Sequence, residues 1–196
     1  MAQPDFPLFL LNTVLYPGGL LPLRVFEARY MDMARQCLRD KTMFGVCLIR
    51  EGREVGATAV PEAVGCEARI VECDMQQMGV LQLLTQGVGR FRVLETAANS
   101  QGLLLAQVAP IAEEAPSAIP QQFAACAKLL ARVIAEHGQK IFATPHRLDD
   151  AAWVGYRLAE ILPFPVAEKQ KLLCMDDGLA RLSVLNRVIG AMDTES

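Results

Sequence analysis

The apolar positions open with a run, not an alternation. Residues 6–23, FPLFLLNTVLYPGGLLPL, carry no charge. They cannot form one helix, because Pro7, Pro17 and Pro22 remove backbone donors and Gly18-Gly19 admits positive φ. Pro17-Gly18 suits the centre of a type II turn. The pattern predicts a strand from Phe6 to Leu10, a loop and turn, and a second strand from Leu20 to Phe26. A helix follows from Glu27 to Leu38, with Tyr30, Met33, Ala34, Cys37 and Leu38 inward and Glu27 in its first turn, where the helix dipole favours a carboxylate. Met43 to Arg50 reads as a buried strand. Val64 to Asp74 alternates, with Val64, Cys66, Ala68 and Ile70 on one face. Val80 to Thr85, Arg90 to Glu95 and Leu103 to Val108 complete a β-rich half. So many strands and so few helices suggest a closed or nearly closed barrel, which hides sheet edges.

The period then changes. Glu113-Glu114-Ala115-Pro116-Ser117 reads as a junction, and only helices follow. Gln121 to Glu136 places Phe123, Cys126, Leu130 and Val133/Ile134 on one stripe. Asp149 or Asp150 is placed to cap a helix that runs to Leu162, and Pro163-Phe164-Pro165 stops it. Val166 to Met175 and Asp177 to Ile189 are the last two, the final one with Leu179, Leu182, Leu185 and Ile189 inward. The expected class is α+β: residues 1–114 a barrel of six or seven strands with one or two helices, residues 117–196 a helical bundle.

Composition narrows the function classes. The chain has 196 residues, 52% hydrophobic and 21% charged, so it folds without disulfides or metal. The net charge is −3 and the basic residues form no run, which disfavours nucleic acid. The uncharged N-terminal run lacks the basic start of a secretion signal and is broken too early to span a membrane. A cytoplasmic protein without membrane association is expected. The six cysteines form no C-x-x-C pair and read as buried free thiols.

Motifs for chemistry are sparse. There is no Gly-Lys dipeptide, so no P-loop. Gly87-Val88-Gly89 precedes an alternating segment and reads as a tight turn, not a dinucleotide site. His137 and His146 are the only histidines, without a zinc motif, and read as surface residues. No serine sits in G-x-S-x-G. A cysteine–histidine pair stays open as a small cysteine-dependent hydrolase. The pairs Glu113-Glu114, Asp149-Asp150 and Asp176-Asp177 read as caps or solvated charges. Arg90 and Arg92 share a strand face, read as a solvated outer face. Asp74 to Gly79 puts Met75 and Met78 on a hairpin tip, where methionine adapts to varied apolar partners.

Taken in order, several blocks resemble one family. They are Pro7-Leu8-Phe9, Leu11 to Gly18, Leu21-Pro22-Leu23, Phe26-Glu27 with Arg29-Tyr30, then Val64-Gly65-Cys66, Ala68-Arg69-Ile70 and Gly87 with Gly89-Arg90-Phe91-Arg92, and finally Leu158-Ala159, Leu162-Pro163 and Lys169 to Leu173. Together they are similar to the N-terminal, substrate-binding domain of the Lon ATP-dependent protease, and a free-standing form of it is expected, these 196 residues showing neither an ATPase nor a Ser–Lys protease module. The resemblance implies a PUA-like barrel followed by a helical bundle. It implies a non-catalytic module for unfolded or degron-bearing polypeptide, working with a separate protease or by self-association. No cofactor or metal is expected. Phe9, Tyr16, Phe26, Glu27, Arg29, Tyr30, Met75 and Met78 are the candidate peptide-binding residues. An RNA-binding PUA-like protein is the alternative that the same fold analogy prompts.

Overall fold

The computed structural model describes residues 5–54, 59–77, 79–137 and 141–194. They divide into two compact units, Met1–Ala112 and Glu113–Ser196. The first unit holds seven strands and one helix: β1 (Phe6–Leu11), β2 (Leu20–Val25), α1 (Ala28–Asp40), β3 (Phe44–Glu51), β4 (Val60–Pro61), β5 (Val64–Gln77), β6 (Val80–Ala98) and β7 (Leu104–Pro110). They form one sheet of order β1-β7-β6-β5-β3-β4, and β2 pairs with β6. β1 also pairs with β3, in parallel, so the hydrogen-bonded path β1-β7-β6-β5-β3 returns to β1. All other pairings are antiparallel.

This arrangement explains the uninterrupted apolar start. β1 is covered on both faces. Phe9 joins a core with Tyr30, Phe44 and Leu83, while Leu8 and Leu10 join a second core with Phe91 and Leu104. A strand buried on both sides reads as a run and not as an alternation. α1 lays Tyr30, Met31, Met33, Ala34 and Cys37 inward. Leu38, expected there too, is 41% exposed. It lies about 100° round the helix from Cys37, on the flank of the buried stripe.

Three other expectations are corrected in β6. Val80 to Thr85 and Arg90 to Glu95 are parts of one strand. Gly87-Val88-Gly89 is therefore no turn. The register slips there, Cys66 facing Arg90 but Ala68 facing Gly87, so β6 carries an extra residue, a bulge. Glycine is required at 87 by a close approach: a Cβ would stand 2.1 Å from the Tyr16 carbonyl oxygen. Arg90 is buried at 4%, not solvated, because both faces are covered here; Phe91 beside it is fully buried.

The second unit contains a short 3₁₀ turn (Gln121–Phe123) and α2 (Ala124–His137), α3 (Ala151–Ile161), α4 (Val166–Cys174) and α5 (Gly178–Thr194). α3 packs against α2, α4 and α5, and its residues 151–159 are all buried. Asp150 caps it, accepting from the Ala152 amide at 3.1 Å. Asp177 caps α5, accepting from Leu179 and Ala180. Leu182, Leu185 and Ile189 are buried. Among the described residues no helix is long and apolar enough to cross a membrane.

Glu114 is neither a cap nor a solvated charge. Its carboxylate accepts from both terminal nitrogens of Arg181 and, at 2.6 Å, from the Tyr156 hydroxyl. The Arg181 guanidinium is fully buried, stacks 3.9 Å from the Tyr156 ring centroid, and donates to the carbonyls of Leu172 in the last turn of α4 and of Met175, its C-cap. Gly155 makes room for it: a Cβ there would stand 3.1 Å from Arg181 Cδ.

Candidate functional site

The conspicuous surface feature of the first unit is assembled by residues 16–30. Tyr16 to Gly19 is a type II turn, with the Gly19 amide donating to the Tyr16 carbonyl at 2.9 Å and φ of 75° at Gly18. Gly18 N–H donates to the Gly87 carbonyl, and Gly87 N–H to the Gly19 carbonyl. That pins the turn to β6 and launches β2 in register. β2 stops at Val25, and Phe26 is left 58% exposed.

Glu27 begins the next helix by its backbone, not its charge. It is the N-cap, outside the first turn, and its carbonyl accepts from Tyr30 and Met31. Its carboxylate pairs with Arg29 at 3.0 Å instead of capping amides. Arg29 also donates to the Gly102 carbonyl and lies 4.6 Å from the Tyr30 ring centroid. Tyr30 stacks on Phe9 with centroids 4.0 Å apart. Burial pushes the Tyr30 phenol up from its ordinary value, so it stays neutral.

These pieces border a cleft of about 260 Å³. Phe9, Leu11, residues 21–25, Phe26, Glu27, Tyr30 and Glu54 line it. Of the sequence candidates, Phe9, Phe26, Glu27 and Tyr30 come together here, and Arg29 stands beside Glu27 and Tyr30. Tyr16 is fully buried and has no surface to offer a ligand. Met75 is 50% exposed, but within β5 and not in the turn, since the strand runs on to Gln77. Met78 lies outside the described residues. The β2 residues and Glu54 were missed. The pattern marked Leu20 to Phe26 as a strand, but nothing in the sequence showed that the strand would border a hollow. A wider hollow of about 440 Å³ on the same unit, lined by Phe6, Met33, Asp40 and Asn99 among others, contains none of the candidates.

Thiol chemistry finds little support. Cys37, Cys47, Cys66 and Cys126 are buried, whereas Cys73 and Cys174 are exposed, against the expectation of six buried thiols. Burial pushes Cys47 up to about 12 and Cys126 up to about 11. A nucleophilic thiol requires the opposite shift. His137 is exposed with Nδ1 against the Val133 carbonyl at 3.3 Å. His146 is half-buried, its ring centroid 5.7 Å from that of Trp153. Among the described residues no group of three His, Cys, Asp or Glu side chains could hold a metal ion.

Comparison with known proteins adds the following. The model of the ATP-dependent protease La (LON) substrate-binding domain matches residues 5–190. The chain is 29% identical to Lon protease of Anaeromyxobacter dehalogenans (strain 2CP-C) and 30% identical to Lon protease 2 of Myxococcus xanthus, each over 187 residues and 90% of this chain. It spans only 22% of the length of either. The crystal structure of a Lon N-terminal domain protein from Xanthomonas campestris superposes with a TM-score of 0.77 at 38% identity, covering 92% of this chain and 95% of that one. The N-terminal domain of Lon protease from the Mycobacterium avium complex shares the fold, with a TM-score of 0.66 at 18% identity over the same shares.

Proposed function

The chain belongs to the Lon substrate-binding domain family, and on that premise we propose that it binds polypeptide segments without cleaving them. The observation that carries this reading is Phe26, more than half exposed beside an apolar cleft floored by the Phe9–Tyr30 stack. An exposed aromatic next to a hollow costs nothing further to desolvate on one side and gains contact when a client covers it. We read the strand ring as a PUA-like barrel over 1–114 and the helices of 117–196 as a bundle. The non-catalytic part of the reading draws on the raised thiols and the missing P-loop. The net charge of −3 weighs against the RNA-binding alternative.

Full burial of a phenylalanine stabilises by about 1.5–3 kcal/mol, and Phe26 has somewhat over half of its surface left to bury. Phe26→Ser should therefore weaken binding of a labelled, carboxymethylated unfolded protein about fivefold to tenfold in an anisotropy titration. Absence of binding by the unaltered protein to a panel of unfolded proteins at high micromolar concentration refutes the proposal.

A further inference from the structure

Resting on the polypeptide-binding reading, the cleft also indicates how a client is held. β2 pairs with β6 and, among the described residues, with no other strand. Residues 21–25 all line the cleft, although their side chains alternate, Leu23 and Val25 buried, Pro22 and Arg24 exposed. A hollow touched from both faces of one strand runs along that strand's edge. The Leu21 carbonyl accepts from Thr85 Oγ1 of β6 at 2.9 Å, which turns the Leu21 groups toward β6. By alternation the Pro22 and Arg24 backbone groups face the open edge. Pro22 lacks an N–H, so the edge offers a short, interrupted ladder that suits one segment and resists open-ended stacking.

Size and charge select the occupant. At about 260 Å³ the cleft falls below the roughly 300 Å³ at which drug-sized pockets begin. It accommodates a side chain or two of a chain that continues past it. The lining carries two carboxylates, Glu27 and Glu54, and one guanidinium, Arg24, but Glu27 is paired with Arg29 and Glu54 accepts from the Asn12 amide, so the charges balance and an uncharged, apolar stretch fits best. We propose that an extended, mainly apolar client segment adds as a strand to the open edge of β2, its alternate side chains entering the cleft. This is strand addition, in which backbone bonds supply affinity and pockets supply selection.

The test is an N-methyl scan of a short fluorescein-labelled peptide of alternating leucine and serine, titrated against the full chain. Methylation should weaken binding about fivefold to tenfold at alternate positions and little at those between, since each lost backbone bond is worth up to about one decade in affinity. Binding with a flat methylation profile overturns strand addition and leaves polypeptide binding standing. Binding neither to the peptides nor to unfolded proteins overturns both readings.

Discussion

Removing Glu114 should unfold the helical unit more readily than any surface charge change could. The Arg181 guanidinium is 0% exposed and Glu114 only 8% exposed, so the pair is screened very little. In Glu114→Ala the guanidinium keeps its bonds to the Leu172 and Met175 carbonyls and its stacking on Tyr156, but loses the Glu114 carboxylate and leaves the Tyr156 hydroxyl without that acceptor. Three bonds to a charged group, at about 1.5–3 kcal/mol each, set an upper bound that relaxation reduces. Breaking a buried pair on one side costs about 3–5 kcal/mol, and that is the expected loss. Replacing both partners, Glu114→Ala with Arg181→Met, should cost less than the two single changes added together, with about 2–3 kcal/mol of coupling. The chain has one tryptophan, Trp153, buried in α3 of the same unit. Urea unfolding followed by its fluorescence therefore reads this unit directly. A loss below about 1 kcal/mol for Glu114→Ala, or additivity in the cycle, refutes the assignment of the pair as the organising contact.

Gly87→Ala should lower stability by about 3 kcal/mol or more, because the new Cβ would collide with the Tyr16 carbonyl, whereas Gly89→Ala, whose nearest neighbour is Glu67 Oε2 at 3.7 Å, should cost little; thermal melts of the two variants check this. Burial pushes Glu160 up to about 7 even though Arg157 lies 2.6 Å away. A folded value above the ordinary 4.5 means the stability it contributes is whole below about pH 4.5 and is lost as pH rises through about 7. The urea midpoint should fall across that window, and Glu160→Gln should flatten the fall. Iodoacetamide should modify Cys73 and Cys174 in the native protein and the other four cysteines only in denaturant, as counted by intact mass.

Local signals were legible where a residue's role is local. Pro17-Gly18 announced its turn, and Asp150 and Asp177 announced their helix starts, because caps and turns are decided within a few residues. Roles set by distant chain were not. Gly87 looked like a turn, but its reason is the Tyr16 carbonyl, which the sequence places 71 positions away. Arg90 looked like a solvated charge, yet it is buried, and nothing local marked Arg181, whose carboxylate partner Glu114 lies 67 positions away. Leu20 to Val25 was recognisable as a strand, whereas its open edge depends on which strands fail to pair with it. Among the candidate residues, Phe9, Phe26 and Tyr30 were singled out as aromatics in one block. Their convergence on a single cleft needed the stack of α1 on β1.

The pairing of β1 has a consequence for biosynthesis. Residues 6–11 leave the ribosome before the rest of the unit, find β3 after about forty further residues, and meet β7 only when residues 105–106 emerge. Such long-range closure is slow. This greasy segment thus waits half-married through most of the unit's translation, so a chaperone that shields nascent chains has its natural point of engagement there.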